Sequence, residues 1–217
     1  MTLTLYGHPF SSYTQKALIA LYEHDAAFQF RSLEDEQAKS EWRALWPISR
    51  MPLLLDDGRS VMEASVIVEY LDLRYAGPTR LLPRDPNTAI DVRFMDRFFD
   101  NYVMTPMQKI VLDSLRAHDD RDAFGVADAR RALTTAYGWL NDRMKDRAWA
   151  AGEGFSLADC AAAPALFYAD WAHRIDDAFP HVNAYRSRLL ARPSFARAVD
   201  EARPYRAYFP LGAPDRD

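Results

Sequence analysis

The chain has 217 residues, enough for one large domain or two modest ones, and 49% hydrophobic with 27% charged residues is the composition of an ordinary globular protein. With 27 Lys and Arg against 31 Asp and Glu, the net charge of -4 gives no general attraction to nucleic acid or anionic membranes. The lone Cys160 forms no internal disulfide, and the most apolar stretch, broken by Pro164, falls short of the roughly 20 residues a membrane span needs.

The N-terminus Met1-Thr2-Leu3-Thr4-Leu5-Tyr6 lacks a basic n-region and a continuous apolar run, so the cytoplasm is the expected location. Thr2 to Tyr6 alternates and reads as a strand that runs into a loop at Gly7 and Pro9. Ser11, Ser12 and Thr14 can each cap the helix signalled by Ala17, Leu18, Leu21 and Tyr22. Phe28 to Arg31 reads as a second strand, and the charged stretch from Glu34 to Leu45 as a helix stopped by Pro47. Met51 to Leu55 and Ser60 to Met62 flank Asp57-Gly58, the signature of an antiparallel hairpin, and Ala64 to Tyr75 is a third helix.

This completes a β-α-β-α-β-β-α unit over residues 1–77. Gly77, Pro78, Pro83 and Pro86 break any regular element, which marks 78–86 as a linker. Residues 87–217 carry only helical signals. Phe94, Met95, Phe98, Phe99 and Tyr102 form one stripe, and Leu133, Tyr137, Leu140 and Met144 another. Ser156-Leu157-Ala158-Asp159 is a capping box with Asp at its fourth position, opening a helix apolar on nearly every side through Trp171. Such a helix belongs in a core, and Cys160 within it reads as a buried, inert thiol.

An α/β thioredoxin-like half, a Pro-containing linker and an all-α helical-bundle half resemble the cytosolic glutathione transferases. Three motifs carry the resemblance. Tyr6-Gly7-His8-Pro9-Phe10-Ser11-Ser12-Tyr13 places hydroxyls at a helix start, as in the serine-type enzymes, with Ser11 the best match to the catalytic serine and Ser12 and Tyr13 as rivals. Arg50-Met51-Pro52-Leu53 matches the family's cis-proline segment, whose residue before the proline pairs with the cysteinyl part of glutathione, and Glu63 follows at the next helix start. The Ser156 to Asp159 box resembles the N-capping box of the family's central helix. Two positions depart from the family pattern: Glu63 is followed by Ala64, with Ser65 one place late, and Trp46-Pro47-Ile48-Ser49 stands where Asn-Pro-x-Gly is common.

The resemblance implies glutathione as co-substrate, no metal, a homodimer, and a glutathione site drawn from Arg50, Met51, Pro52, Glu63, Ala64 and Ser65. Phe10, Tyr102, Pro106 and Trp171 are candidates for a hydrophobic-substrate pocket, although stripes of this kind are more often core. The chemistry is within reach of one hydroxyl. A free thiol has a pKa of about 8.5 and is mostly protonated at pH 7. Lowering that value by about 2 units takes roughly 2.7 kcal/mol. A hydrogen bond to a charged group contributes roughly 1.5–3 kcal/mol and a helix N-terminus roughly 0.3–1 kcal/mol more.

The expected activity is therefore attack of the glutathione thiolate on a hydrophobic electrophile, a detoxification chemistry. A glutathione-dependent isomerase or dehalogenase would use the same thiolate, and a non-catalytic binding protein could keep the fold. Thiol-disulfide reduction is disfavoured, because Ser11 to Thr14 stands where that chemistry needs cysteine.

Overall fold

The computed structural model describes residues 3–75 and 77–217. Its elements run β1 (Leu3–Gly7), α1 (Ser12–Glu23), β2 (Gln29–Ser32), α2 (Glu36–Leu45), β3 (Leu53–Asp56), β4 (Arg59–Met62) and α3 (Ala64–Arg74). Thr2, where the sequence reading begins the first strand, lies outside the described residues, as does Ala76. The four strands form one sheet in the order β2-β1-β3-β4. β1 pairs in parallel with β2 through the α1 crossover, whereas the β3–β4 hairpin is antiparallel and so needs only the Asp57-Gly58 turn. This is the expected thioredoxin-like arrangement, and the rest of the chain is the expected helical half.

That half contains α4 (Pro86–Phe98), α5 (Thr105–Ser114), α6 (Ala123–Arg143), α7 (Leu157–Ala172), α8 (Pro180–Leu190) and α9 (Pro193–Ala202). Among the described residues no helix is long and apolar enough to cross a membrane. Every residue of α7 is buried, as are Thr14 through Leu21 of α1. The two helices pack on each other, so one continuous apolar core runs from β1 into the helical half.

The connection from α3 to α4 is pinned at its middle. Leu81 is fully buried; its N–H donates to Asp72 Oδ1 at 2.7 Å and its carbonyl accepts from Leu157 N–H at 2.9 Å. A Cβ on Gly77 would meet the His24 backbone at 2.3 Å, so only glycine allows this close approach.

The run from α4 to α5 contains a feature that no period of 3.6 residues announces. Residues Phe99–Met104 form a π-helical stretch, with Thr105 N–H donating to Asp100 O. Pro106 lacks a donor and would press on the carbonyl four residues back, a conflict that a widened turn relieves. The aromatic stripe is split between core and surface. Met95 and Phe99 are buried and Phe98 nearly so, but Phe94 is 46% and Tyr102 58% exposed.

The capping box at the start of α7 holds more than its own helix. Asp159, fully buried, accepts from Ser156 N–H at 2.9 Å, Ser156 Oγ–H at 3.0 Å, Ala150 N–H at 2.9 Å and the Tyr185 hydroxyl. Removing it orphans buried donors on three segments, each costing about 1–3 kcal/mol. Asp159→Ala should therefore destabilise the protein by about 3–5 kcal/mol, well above the roughly 1 kcal/mol of an isolated cap, as read from the urea midpoint at unchanged slope.

Candidate functional site

The loop after β1 is tied down residue by residue. His8 Nδ1 accepts from Phe10 N–H at 3.1 Å, His8 O accepts from Ser11 N–H at 2.9 Å, and Pro9 O accepts from Gln15 Nε2 at 3.0 Å. Ser11 is the N-cap of α1, with extended backbone at φ -83° and ψ 123°, and its Oγ accepts from Thr14 N–H at 3.4 Å. That bond uses a lone pair only. The Ser11 hydroxyl proton has no acceptor among the described residues, so capping and donation to an incoming anion are compatible.

Ser11 and Tyr13 sit at the base of a polar cavity of about 520 Å³. One wall is the segment before β3, with Arg50, Met51 and Pro52; the Met51–Pro52 peptide is cis. Met51 precedes the first residue of β3, so its peptide groups are not used by the sheet ladder. Glu63 and Ala64 form the next part of the wall at the start of α3. Glu63 has φ 68°, a left-handed conformation rare for a residue with a side chain, and Ala64 opens the helix with one of its orphan N–H groups. Arg97, Asp100, Asn101 and Gln108 close the far side from the helical half, and nothing in their spacing marked them. Asp100 and Asn101 lie on the π-helical stretch.

Ser65 is placed elsewhere. Its hydroxyl accepts from Lys16 Nζ at 2.9 Å and bonds Arg97, within an ion cluster that does not include it in the cavity wall. Lys16 is 1% exposed and lies 2.6 Å from Asp96 and 3.0 Å from Asp100, and Arg97 pairs with both carboxylates. Burial pushes the Asp100 carboxyl above its ordinary value against the opposing pull of Lys16. Burial and the nearby Asp100 charge push the Tyr13 phenol up to about 12, so it stays a neutral donor.

A second cavity of about 330 Å³ adjoins the first. Ser11, Tyr13, Arg50 and Gln108 line both, and Ser12 lines only this one. Its remaining surface is largely apolar and comes from Phe10, from Met104, Met107 and Val111, from Tyr168, and from the C-terminal segment Tyr208, Phe209 and Pro210. Among the described residues Arg50 carries no ion pair, and it is exposed where the two cavities meet.

Of the four residues grouped by sequence as a hydrophobic pocket, only Phe10 lines this cavity. Trp171 is buried behind it, its ring 6.3 Å from that of Phe10, and lines a small void there. Tyr102 and Pro106 line a groove of about 660 Å³ on the outer face of α4 and α6, with Phe94 and Trp139. That groove is lined from both sides of the widened turn, and residue spacing gave no sign that it lies apart from Phe10. Cys160 is fully buried, and burial holds its thiol well above the usual range.

Residues 5–79 match the family model described as glutathione S-transferase, N-terminal domain, and residues 103–193 that of the C-terminal domain. A glutathione S-transferase of Hyoscyamus muticus is 25% identical over 92% of this chain and 99% of its own. A probable maleylacetoacetate isomerase of Vibrio cholerae is 26% identical over 94% of this chain and 98% of its own. The crystal structure of a glutathione S-transferase from Methylobacterium radiotolerans, in complex with glutathione sulfonate, superimposes with a TM-score of 0.79 at 28% identity, covering 92% of this chain and 95% of that one.

Lys16 generates the prediction of this site. Lys16→Met leaves two buried carboxylates with one half-exposed arginine, and should cost about 3–5 kcal/mol in urea unfolding. Neutralising one carboxylate as well, in Lys16→Met with Asp96→Asn, should recover part of the loss. A single variant as stable as the parent would show that the cluster carries no weight.

Proposed function

The chain belongs to the cytosolic glutathione transferase family, and from that premise we propose that it binds glutathione in the polar cavity and directs its thiolate at a hydrophobic electrophile in the adjoining one. The observation that carries this reading is the position of Ser11. Its hydroxyl stands at the N-terminus of α1, lines both cavities, and keeps its proton free while its lone pair caps the helix. A thiolate at the junction would receive that proton as a hydrogen bond, and the positive end of the helix adds to it. Ser12 reaches only the apolar cavity, and Tyr13 reaches both as a second donor.

The remaining contacts follow from the tripeptide's chemistry. The peptide groups of Met51, beside Pro52, pair with the cysteinyl backbone. Glu63 accepts from the ammonium, and the Ala64 N–H donates to the γ-glutamyl carboxylate, where a helix start favours an anion. Arg50 meets a carboxylate. Ser65 holds Lys16 and Arg97, and so supports this wall from behind. An isomerase is the second reading, favoured by relatives in Vibrio cholerae and Caenorhabditis elegans that are named probable maleylacetoacetate isomerases. It would use the same thiolate, with Arg50 at the cavity mouth available to an acidic substrate.

In this reading the protein works in the cytoplasm as a homodimer. The groove holding Phe94, Tyr102 and Trp139, with the exposed Val66 and Leu73 of α3, offers an apolar face that joins the polar cavity at Asn101. Light scattering at micromolar concentration should give twice 24.9 kDa. A species of single mass would remove the dimer from the reading.

Ser11→Ala tests the mechanism. Losing roughly 1.5–3 kcal/mol of thiolate stabilisation should raise the pKa of the bound thiol by about 1–2 units, read from thiolate absorbance. Conjugation near neutral pH should fall, and the defect should shrink as pH rises through the new pKa, because the thiolate then forms unaided. Glutathione affinity should change little. A thiol pKa that stays put in Ser11→Ala but moves in Ser12→Ala or Tyr13→Phe would transfer the role to that hydroxyl.

A further inference from the structure

Tyr168 lies on α7, in the helical half, yet its hydroxyl is held from the thioredoxin-like half. Gln15 Nε2, fully buried on α1, donates at 3.0 Å to Pro9 O and at 3.0 Å to the Tyr168 oxygen. The amide orientation follows from its partners: turned over, its oxygen would face the Pro9 carbonyl oxygen at 3.0 Å with no proton between them. Nε2 is thus the donor to Tyr168, and Gln15 Oε1 has no hydrogen-bond partner among the described residues. The Tyr168 oxygen is an acceptor in this contact, and its own proton has no acceptor among the described residues.

Tyr168 lines the second cavity beside the loop that carries Ser11, packed edge-on against Phe10 with ring centroids 5.2 Å apart and stacked on Phe209. Burial pushes the phenol far above its ordinary value, so the hydroxyl remains protonated throughout the working pH range. The other polar side chains on the cavity are Ser11, Ser12, Tyr13, Arg50, Gln108 and Tyr208, and the rest of its lining is apolar.

We propose that Tyr168, oriented by Gln15, donates a hydrogen bond to an oxygen of the electrophile in the apolar cavity, making it a catalytic residue that favours substrates whose reaction puts negative charge on oxygen. The inference rests on the reading of the protein as a thiolate-activating transferase. With an enone, a sulfur lone pair forms the C–S bond at the β carbon and the C=C pair shifts toward the carbonyl. The carbonyl π pair moves onto oxygen, giving an enolate that the Tyr168 O–H stabilises. Water then protonates the α carbon, the pair returns to the carbonyl, and Tyr168 keeps its proton. An alkyl halide departs with its electron pair on halide and offers no such oxygen, so it draws less on this donor.

The experiment compares benzylideneacetone, an enone, with benzyl bromide, which carries no oxygen, on one preparation of full-length protein. The ratio of kcat/KM values is independent of the fraction that is folded. In Tyr168→Phe the enone-to-bromide ratio should fall about tenfold to a hundredfold, with the bound thiol pKa in place. An unchanged ratio overturns the inference alone. A fall accompanied by a raised thiol pKa also overturns it, because the loss would then pass through the Gln15-held loop to Ser11. If the parent protein binds glutathione but conjugates neither compound, the transferase reading fails and takes the inference with it.

Discussion

The molecule is organised around a cation it cannot leave alone. Lys16 projects from α1 into the interior, where its side chain is 1% exposed and an unpaired ammonium would cost several kcal/mol. Its partners Asp96 and Asp100 come from the helical half, and Ser65 comes from α3. Satisfying one lysine therefore fixes the two halves against each other, and it places Arg97 and Asp100 along the polar cavity. The same demand claims Ser65 and leaves the α3 start to present Ala64 and Glu63.

Hydrogen-bond bookkeeping explains how structural side chains around the loop stay chemically available. Ser11 uses a lone pair to cap α1, and Tyr168 uses a lone pair to receive Gln15. Each keeps a proton with no partner among the described residues, and the two line the same cavity. His8 and Gln15 bind the loop backbone between them, so the position of Ser11 does not depend on the mobility expected of a surface loop.

The π-helical stretch gives the run from α4 to α5 two faces. Toward the interior it carries Asp100 to the ion cluster and Val103 and Met104 to the core. Toward solvent it leaves Tyr102 in line with Phe94 and Trp139.

The alternation and helical periods along the chain determine the thioredoxin-like order and the helical half, because burial imposes those periods wherever an element has one apolar face. The segments holding Ser11, Met51-Pro52 and Glu63 stood out through their resemblance to the family's motifs; their own residue types announce only a helix cap, a proline turn and a helix start. The order in which distant segments meet was not legible in the sequence. Arg97, Asp100, Gln108 and Tyr168 look in sequence like ordinary helix residues, and only the packing of α1 between α3 and α7 brings them to the loop after β1. Tyr102 and Pro106 lie on a different face from Phe10, and the hydrogen bond that widens the turn beside them, Thr105 to Asp100, leaves no trace in a pattern of apolar residues. Local period is set by which face meets the core; the meeting of faces is set by shape and charge across the whole fold, and that is a property of the tertiary structure alone.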